Sequence, residues 1–222
     1  MTLLKNKDVE LLAHARHSTI FLWRIDETEA WLKASLPEHF HYGEEADRRF
    51  LSDKRRKEWL TARVLLHTVA GVKERLDYSD SGKPFLTGSS THVSISHSGN
   101  HVCLLLSDSP AGIDLEQKSP RALRVKEKFL KEQEMAVADG LGFAEEEAAV
   151  LLWSAKEAIF KRMDAPTLSL LQDITFYNFQ KTDTNAHTGT LQAKVRIGEN
   201  PALETVNLGF LVTPDFVLTV CR

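Results

Sequence analysis

The chain has 222 residues, 42% of them hydrophobic and 27% charged, a composition typical of a globular protein with a sizeable core. Its formal net charge of -3 at pH 7 argues against a general attraction to nucleic acid. No apolar run reaches the ~20 residues that span a membrane, and the first residues lack the apolar core of a signal peptide. Two cysteines without metal-ligand spacing, Cys103 and Cys221, suit a reducing compartment, so we expect a cytoplasmic protein.

The first third of the chain is predicted to contain a strand and two helices. Residues 18–25 are β-branched and aromatic, which favours a strand, and residues 27–34 form a short helical segment. A longer helical pattern covers residues 46–70, with Gly71 in the position of a C-terminal cap.

This longer helix carries two arginines on one face. Arg56 and Arg63 are seven positions apart, which is close to two helical turns. They either bind one phosphate together or belong to an ordinary solvated basic face, and the local pattern does not separate these alternatives.

Alternating apolar and small polar residues predict a half-buried strand over residues 92–98. His97 lies where this strand runs into a polar turn, a common location for functional side chains. A single histidine at a strand end is equally consistent with a binding residue and with a surface residue.

A buried strand at residues 102–106 is followed by Gly112, Asp114 and Glu116. If the segment is extended, the two carboxylates face the same side and repel each other unless a cation lies between them. A hard divalent ion such as Mg²⁺ would suit them, because it prefers oxygen ligands. The alternative is a strand end with two solvated acids.

Residues 118–131 contain six basic residues against one acid, the strongest charge asymmetry in the chain. This segment either attracts an acidic partner or forms a solvated helix face.

Residues 145–163 are predicted to form one helix, on which Trp153, Glu157 and Lys161 line a single stripe. Taken alone, the Glu157–Lys161 pair resembles ordinary surface decoration. Four strands are predicted after residue 166, and each half of the chain therefore runs from helix to strands, which indicates a duplicated α/β unit.

Four blocks occur together in a characteristic order. They are Gly82-Lys83-Pro84, Ser96-His97-Ser98, Gly112-Ile113-Asp114-Leu115-Glu116, and the run from Trp153 to Lys161 with the pattern Trp-x-x-Lys-Glu-x-x-x-Lys. In this order they resemble the 4'-phosphopantetheinyl transferase superfamily. One departure is Ser94, where the family usually has Asn before the Ser-His-Ser block.

The chain length resembles that of the long, Sfp-like branch of this superfamily. The resemblance implies an α/β (α+β) fold built as a pseudo-two-fold pair of similar lobes, each with a long helix on a small, mainly antiparallel sheet. The implied lobes are residues 1–108, with the coenzyme-binding helix and loops, and residues 109–222, with the metal site. It also implies a monomer. From the net charge and the lack of a long apolar run, we expect neither a nucleic-acid nor a membrane partner.

The resemblance implies transfer of the 4'-phosphopantetheine arm of coenzyme A to a serine of an apo acyl or peptidyl carrier protein, with release of adenosine 3',5'-bisphosphate. The alternatives are a non-catalytic homologue that binds coenzyme A or a carrier, and another magnesium-dependent phosphotransferase.

By the same resemblance, Asp114, Glu116 and Glu157 bind Mg²⁺ or Mn²⁺, and Asp114, Glu157 and Lys161 are catalytic. The implied coenzyme A-binding residues are Arg56, Arg63, Lys83, Pro84, Ser96, His97, Lys156 and Lys161. Because the family's carriers are acidic, the basic segment becomes a docking surface for them, with candidate residues Lys118, Arg121, Arg124, Lys126 and Lys128.

Overall fold

A computed structural model describes residues 9–15, 18–139, 142–182, 187–198 and 203–222. The chain divides into two units, Met1–Ser109 and Pro110–Arg222. All strand pairings among the described residues are antiparallel. Each unit contains one sheet and several helices. The expected mixed α/β class with antiparallel sheets is confirmed. Within the described residues, no helix has the length and apolar character required to cross a membrane.

The first unit contains a sheet with the strand order β1-β2-β6-β5-β4-β3. These strands are β1 (Val9–Ala15), β2 (Ser18–Arg24), β3 (Leu76–Tyr78), β4 (Pro84–Leu86), β5 (His92–Ser98) and β6 (His101–Ser107). Strands β5 and β6 form a tight hairpin in which Ser98 pairs with His101 and Gly99 has a φ of 62°. This turn brings His97 to the end of its strand, as the sequence predicted.

Three helices, α1 (Glu29–Ala34), α2 (Tyr42–Arg49) and α3 (Asp53–Val64), belong to this unit, and a π-helical turn, Leu65–Val69, extends the third. The single helix predicted over residues 46–70 is therefore wrong. Phe50 leaves the helical region with φ -131° and ψ 127°, and its ring packs 6.1 Å from that of Trp59. The apolar contact favours a break that helical periodicity does not reveal. The expected end of the helix is confirmed, since Gly71 has a φ of 71°.

The second unit contains a sheet with the order β7-β11-β10-β9-β8. Its elements are β7 (Gly112–Gln117), α4 (Arg121–Arg124), α5 (Glu132–Asp139), α6 (Glu145–Met163), β8 (Ile174–Lys181), β9 (Thr188–Arg196), β10 (Leu203–Val212) and β11 (Phe216–Cys221). Helix α6 begins and ends where the sequence predicted. The basic segment contains only short helical pieces, the single turn α4 and a 3₁₀ turn at Lys126–Lys128.

Helix α6 packs directly on β7 and β11 at one edge of this sheet. The approach is so close that a Cβ atom on Gly112 would lie 2.0 Å from the carbonyl oxygen of Ala158 and 2.7 Å from the backbone nitrogen of Arg162. Ala155 and Ala158 of the helix are fully buried, and the carbonyl oxygen of Ala158 is the atom nearest to that Cβ position. Small side chains at this crossing therefore bring the polar stripe of α6 near the carboxylates of β7.

Candidate active site

The sequence-predicted acids lie on β7, at the edge of the second sheet. Asp114 pairs with Thr219 and Glu116 with Val217 of the neighbouring strand, so both are extended and face the same side. Asp114 is only 3% exposed, whereas Glu116 is half-buried.

Two side chains of α6 contact these acids directly. The Lys161 ammonium donates to Asp114 Oδ1 at 2.7 Å and to the carbonyl oxygen of Ile113 at 3.2 Å. Two turns earlier, Trp153 Nε1 donates to Glu116 Oε1 at 2.8 Å. The helix stripe and the strand pair therefore form one polar cluster, which we call the β7–α6 cluster: Asp114, Glu116, Trp153, Glu157 and Lys161.

Glu157 lies between Trp153 and Lys161 on this stripe. Burial raises the pKa of the Glu157 carboxyl, the nearby Asp114 carboxylate raises it further, and the ammonium of Lys161 opposes the shift. A carboxylate with increased proton affinity is a better base than an ordinary surface glutamate.

The donor atoms of the β7–α6 cluster have the chemistry of a site for a hard divalent cation. Asp114, Glu116 and Glu157 offer only carboxylate oxygens, which suit a hard divalent cation, and the two β7 acids are near enough to raise the pKa of Glu157. The donor set therefore fits Mg²⁺ or Mn²⁺. As the side chains stand, no group of three Asp, Glu, His or Cys residues in the described part of the chain converges closely enough to bind a metal ion.

Lys156 precedes Glu157 but faces the interior. Its side chain and that of Glu134 are both 0% exposed, and their charged groups lie 3.0 Å apart. Its ammonium also donates to the carbonyl oxygens of Leu170 and Ile174. Three internal acceptors account for all the protons of the ammonium, so this geometry argues against the predicted contact between Lys156 and coenzyme A.

In the first unit, His97 is accompanied by two residues of α3. Its Nδ1 lies 3.4 Å from Glu58 Oε2, and its Nε2 lies 3.3 Å from Arg55 Nη1. Arg55 Nη1 also lies 3.3 Å from the same oxygen of Glu58.

Arg63 and Arg56, the two arginines predicted to share one helix face, have different surroundings. Arg63 is 0% exposed, its guanidinium carbon lies 3.0 Å from the ring centroid of Trp59, and burial lowers its pKa to about 10. Arg56 instead contacts Glu29 at 2.8 Å and the carbonyl oxygen of Phe50 at 2.8 Å. Seven-residue spacing predicted a shared helix face correctly, but not the different internal partners of the two side chains.

The remaining sequence-predicted coenzyme residues lie on or beside strands of the same unit. Lys83 is half-buried in the turn before β4, where its backbone N–H donates to Ser79 Oγ at 3.2 Å, and Pro84 begins that strand. Ser96 is 7% exposed and pairs with Cys103.

Some cations of the basic segment form ion pairs, whereas others are exposed to solvent. Lys118 forms an ion pair with Glu147, and Lys126 pairs with Glu145 at 2.6 Å. The other three candidate docking residues, Arg121, Arg124 and Lys128, are exposed and form no ion pair with the described residues. Two of these, Arg121 and Lys128, line a pocket of about 590 Å³ whose apolar walls include Phe129, Trp153 and Leu170.

Comparison with known proteins assigns the chain to a family. The model of the 4'-phosphopantetheinyl transferase superfamily matches residues 110–221, half of the chain. The chain belongs to this superfamily.

Several curated members of the superfamily are similar to this chain. The chain is 29% identical to 4'-phosphopantetheinyl transferase Sfp of Bacillus subtilis (strain 168) over 62% of its own length and 63% of that protein. It is 33% identical to 4'-phosphopantetheinyl transferase psf-1 of Bacillus pumilus, covering 51% and 52% of the two chains. For 4'-phosphopantetheinyl transferase AcpT of Salmonella typhi the identity is 41%, covering 30% and 36%. These matches span less than two thirds of each relative.

Sequence reasoning gave no role to three residues that contact predicted site residues. Trp153 was placed on the same stripe as Glu157 and Lys161, but its bond to Glu116 was not predicted. Glu134 lies 22 positions before its partner Lys156, and Glu58 lies 39 positions before His97. No local sequence signal joins residues so far apart.

Proposed function

We propose that this superfamily member transfers the 4'-phosphopantetheine arm of coenzyme A to a serine of an apo acyl or peptidyl carrier protein, releasing adenosine 3',5'-bisphosphate. The β7–α6 cluster is the observation that supports this proposal. It combines carboxylates for a divalent ion, a glutamate with raised pKa, and a lysine bonded to Asp114.

In this reaction the serine oxygen of the carrier forms a bond to the phosphorus that bears pantetheine. The phosphoanhydride bond to the adenosine 3',5'-bisphosphate portion breaks, and that product leaves with the bonding electrons. Glu157 would accept the serine proton, because a hydroxyl is a weak nucleophile without a base. The Lys161 ammonium would compensate the charge of the departing phosphate.

Asp114, Glu116 and Glu157 would bind the divalent ion. When bound, Mg²⁺ or Mn²⁺ would neutralise charge on the pyrophosphate and so favour attack on the phosphorus that bears pantetheine. Trp153 would orient Glu116 through the bond from its indole N–H.

By the family pattern, coenzyme A would contact His97, Lys83, Pro84 and Ser96, and Lys161 would contact its departing phosphate. The exposure of His97 and the partial exposure of Lys83 support contact with a ligand. Arg63 and Arg56 would instead hold α3 in position, because Arg63 donates to the carbonyl oxygen of Trp59 and Arg56 donates to Glu29.

The basic segment would dock the carrier. Charge complementarity to an acidic partner favours the exposed residues Arg121, Arg124 and Lys128 over Lys118 and Lys126, whose charges are offset by glutamates. The pocket beside Arg121 and Lys128 would accept an apolar side chain of the partner.

Product release tests the proposal. The protein is incubated with coenzyme A, Mg²⁺ and a panel of apo carriers, and adenosine 3',5'-bisphosphate is quantified by chromatography. We expect its formation only when a carrier is present, with near-complete loss in Asp114→Ala. Coenzyme A binding without product for any carrier would favour the non-catalytic alternative. Product formed with small hydroxyl compounds and no carrier would favour another phosphotransferase.

A further inference from the structure

The pocket of about 590 Å³ in the second unit has walls built largely from turns and short helical pieces. One wall comes from residues 119–129 of the basic segment and another from residues 169–171, and α6 contributes Trp153. Residues 164–173, all within the described part of the chain, contain no helix or strand. Because neither wall belongs to a sheet, other contacts must fix the two walls against α6.

The buried Lys156–Glu134 pair makes such contacts. The Lys156 ammonium donates to the carbonyl oxygens of Leu170 at 2.8 Å and Ile174 at 3.0 Å, so it bonds a wall residue and the first residue of β8. Glu134 Oε2, which accepts from Lys156, also accepts from the backbone N–H of Lys131 at 2.8 Å, two positions beyond the other wall. One ion pair therefore joins α6 to both walls of the pocket.

Packing between helices does not by itself require a buried ion pair. Apolar side chains of similar volume often stabilise a fold as well or better, because two charges lose their hydration when they are buried. Apolar side chains cannot, however, bind backbone carbonyl and N–H groups, whose hydrogen bonds are directional. The backbone groups that this pair binds are therefore held in specific positions relative to α6, the helix that also carries Glu157.

We propose that Lys156 and Glu134 are positioning residues for the carrier, because they fix the walls of the pocket relative to Glu157. This inference rests on the proposed function, in which an apolar side chain of the carrier enters the pocket. Trp153 belongs to both sites, since it lines the pocket and its indole N–H donates to Glu116 at 2.8 Å. A carrier seated against fixed walls would present its serine to the base in one orientation, as efficient transfer requires.

A double variant removes the pair without leaving a buried charge unpaired. Lys156→Met with Glu134→Leu retains apolar volume but cannot bind the backbone groups. With a carrier that the wild type modifies, steady-state kinetics should show KM for the carrier raised by about tenfold or more and kcat lowered less. Calorimetric titration should show that the affinity for coenzyme A changes by less than about twofold, whereas the coenzyme contact predicted from the sequence would require a loss.

Arg162→Met with Glu204→Gln is the matched control. This ion pair, at 2.7 Å, joins the same helix to β10, and neither residue lines the pocket. Its removal should change KM for the carrier by less than about twofold. Amide hydrogen exchange, measured by mass spectrometry, should become faster over residues 164–173 in the Lys156→Met/Glu134→Leu variant and stay unchanged there in the control.

Glu134→Gln is a milder variant for the case in which the double variant does not fold. Its amide oxygen can still accept from a backbone N–H, so we expect a folded protein whose KM for the carrier is raised by about threefold.

An unchanged KM for the carrier in the folded double variant, or in Glu134→Gln, would overturn the inference. An equal loss of coenzyme A affinity would also overturn it, because Lys156 would then belong to the coenzyme site. Both results leave the proposed function intact, since the wild type still modifies its carrier. A wild type that modifies no carrier would overturn the proposed function itself.

Discussion

Glu157 and Lys161 are one helical turn apart, yet their surroundings differ. Lys161 donates to Asp114 at 2.7 Å, while burial and two neighbouring acids raise the pKa of Glu157. A surface Glu–Lys pair would contribute only a few tenths of a kcal/mol. The environment of this pair is instead suited to proton transfer and charge compensation.

Replacing Glu157 by Gln tests its assignment as the base. Glu157→Gln keeps the size of the side chain but removes its charge and basicity, so kcat should fall by about 10² or more. Glu146→Gln, in the first turn of the same helix, is the matched control and should retain normal turnover. Single-turnover kinetics at saturating Mg²⁺ provide the measurement, and near-normal turnover in Glu157→Gln would remove this residue from the mechanism.

For single residues, the sequence predicted which side chains share a face more accurately than it predicted their burial and partners. The alternation rule was sufficient to place Asp114 and Glu116 on one face of a strand, and helical spacing placed Glu157 and Lys161 together. The interior positions of Arg63 and Lys156 could not be predicted, because charged side chains are rarely fully buried and their partners lie far along the chain.

At the scale of elements, the crossing of α6 over β7 depends on Gly112. A Cβ there would lie 2.0 Å from the backbone of α6, and neither backbone can move away without disturbing the cluster. Gly112→Ala should therefore lower the free energy of unfolding by about 1–3 kcal/mol or more.

Gly209→Ala is the matched control for this change. Gly209 lies in β10 of the same sheet, and an added Cβ would meet nothing within 4 Å. Urea unfolding of both variants compares the two positions. Equal stability of Gly112→Ala and Gly209→Ala would contradict the close packing of α6 on β7.

The buried Lys156–Glu134 pair joins α6 to α5, while Glu134 also accepts from the backbone N–H of Phe176 at 3.0 Å. Lys156→Met would leave this carboxylate without its cation and should cost about 3–5 kcal/mol. Glu134→Leu combined with Lys156→Met should cost less than the sum of the single changes. Additive losses in thermal or urea unfolding would show that the two side chains do not interact.

The sequence predicted regular elements most accurately where periodicity was long and uninterrupted. Helix α6 and strand β11 have the predicted limits. The break between α2 and α3 was missed because the ring of Phe50 packs on Trp59, a tertiary contact that helical periodicity does not show. Strand β1 and helix α5 were also missed, and both carry mixed polar and apolar residues without a clear period.

At the scale of the whole molecule, the net charge of -3 conceals a basic surface in the second unit. Reversing Arg121 and Arg124 to Glu should raise KM for the carrier and weaken its dependence on salt, because exposed charges act mainly on association and are screened beyond about 8 Å. KM for coenzyme A should hardly change. Lys118→Gln, which removes a cation already paired with Glu147, is the control and should have a smaller effect.

Equal increases in both KM values would instead assign the basic segment to the coenzyme site or to the fold. No change in either KM value would indicate that Arg121 and Arg124 are ordinary solvated surface charges.

The intact mass of an apo carrier tests the central claim most directly. Wild-type protein, coenzyme A and Mg²⁺ are incubated with a panel of apo acyl and peptidyl carriers, each paired with a variant in which the acceptor serine is replaced by alanine. We predict that at least one carrier gains the mass of a single 4'-phosphopantetheine, and that neither its serine variant nor a reaction without coenzyme A does so. An unmodified panel, with coenzyme A bound and the protein folded, would contradict the assigned activity.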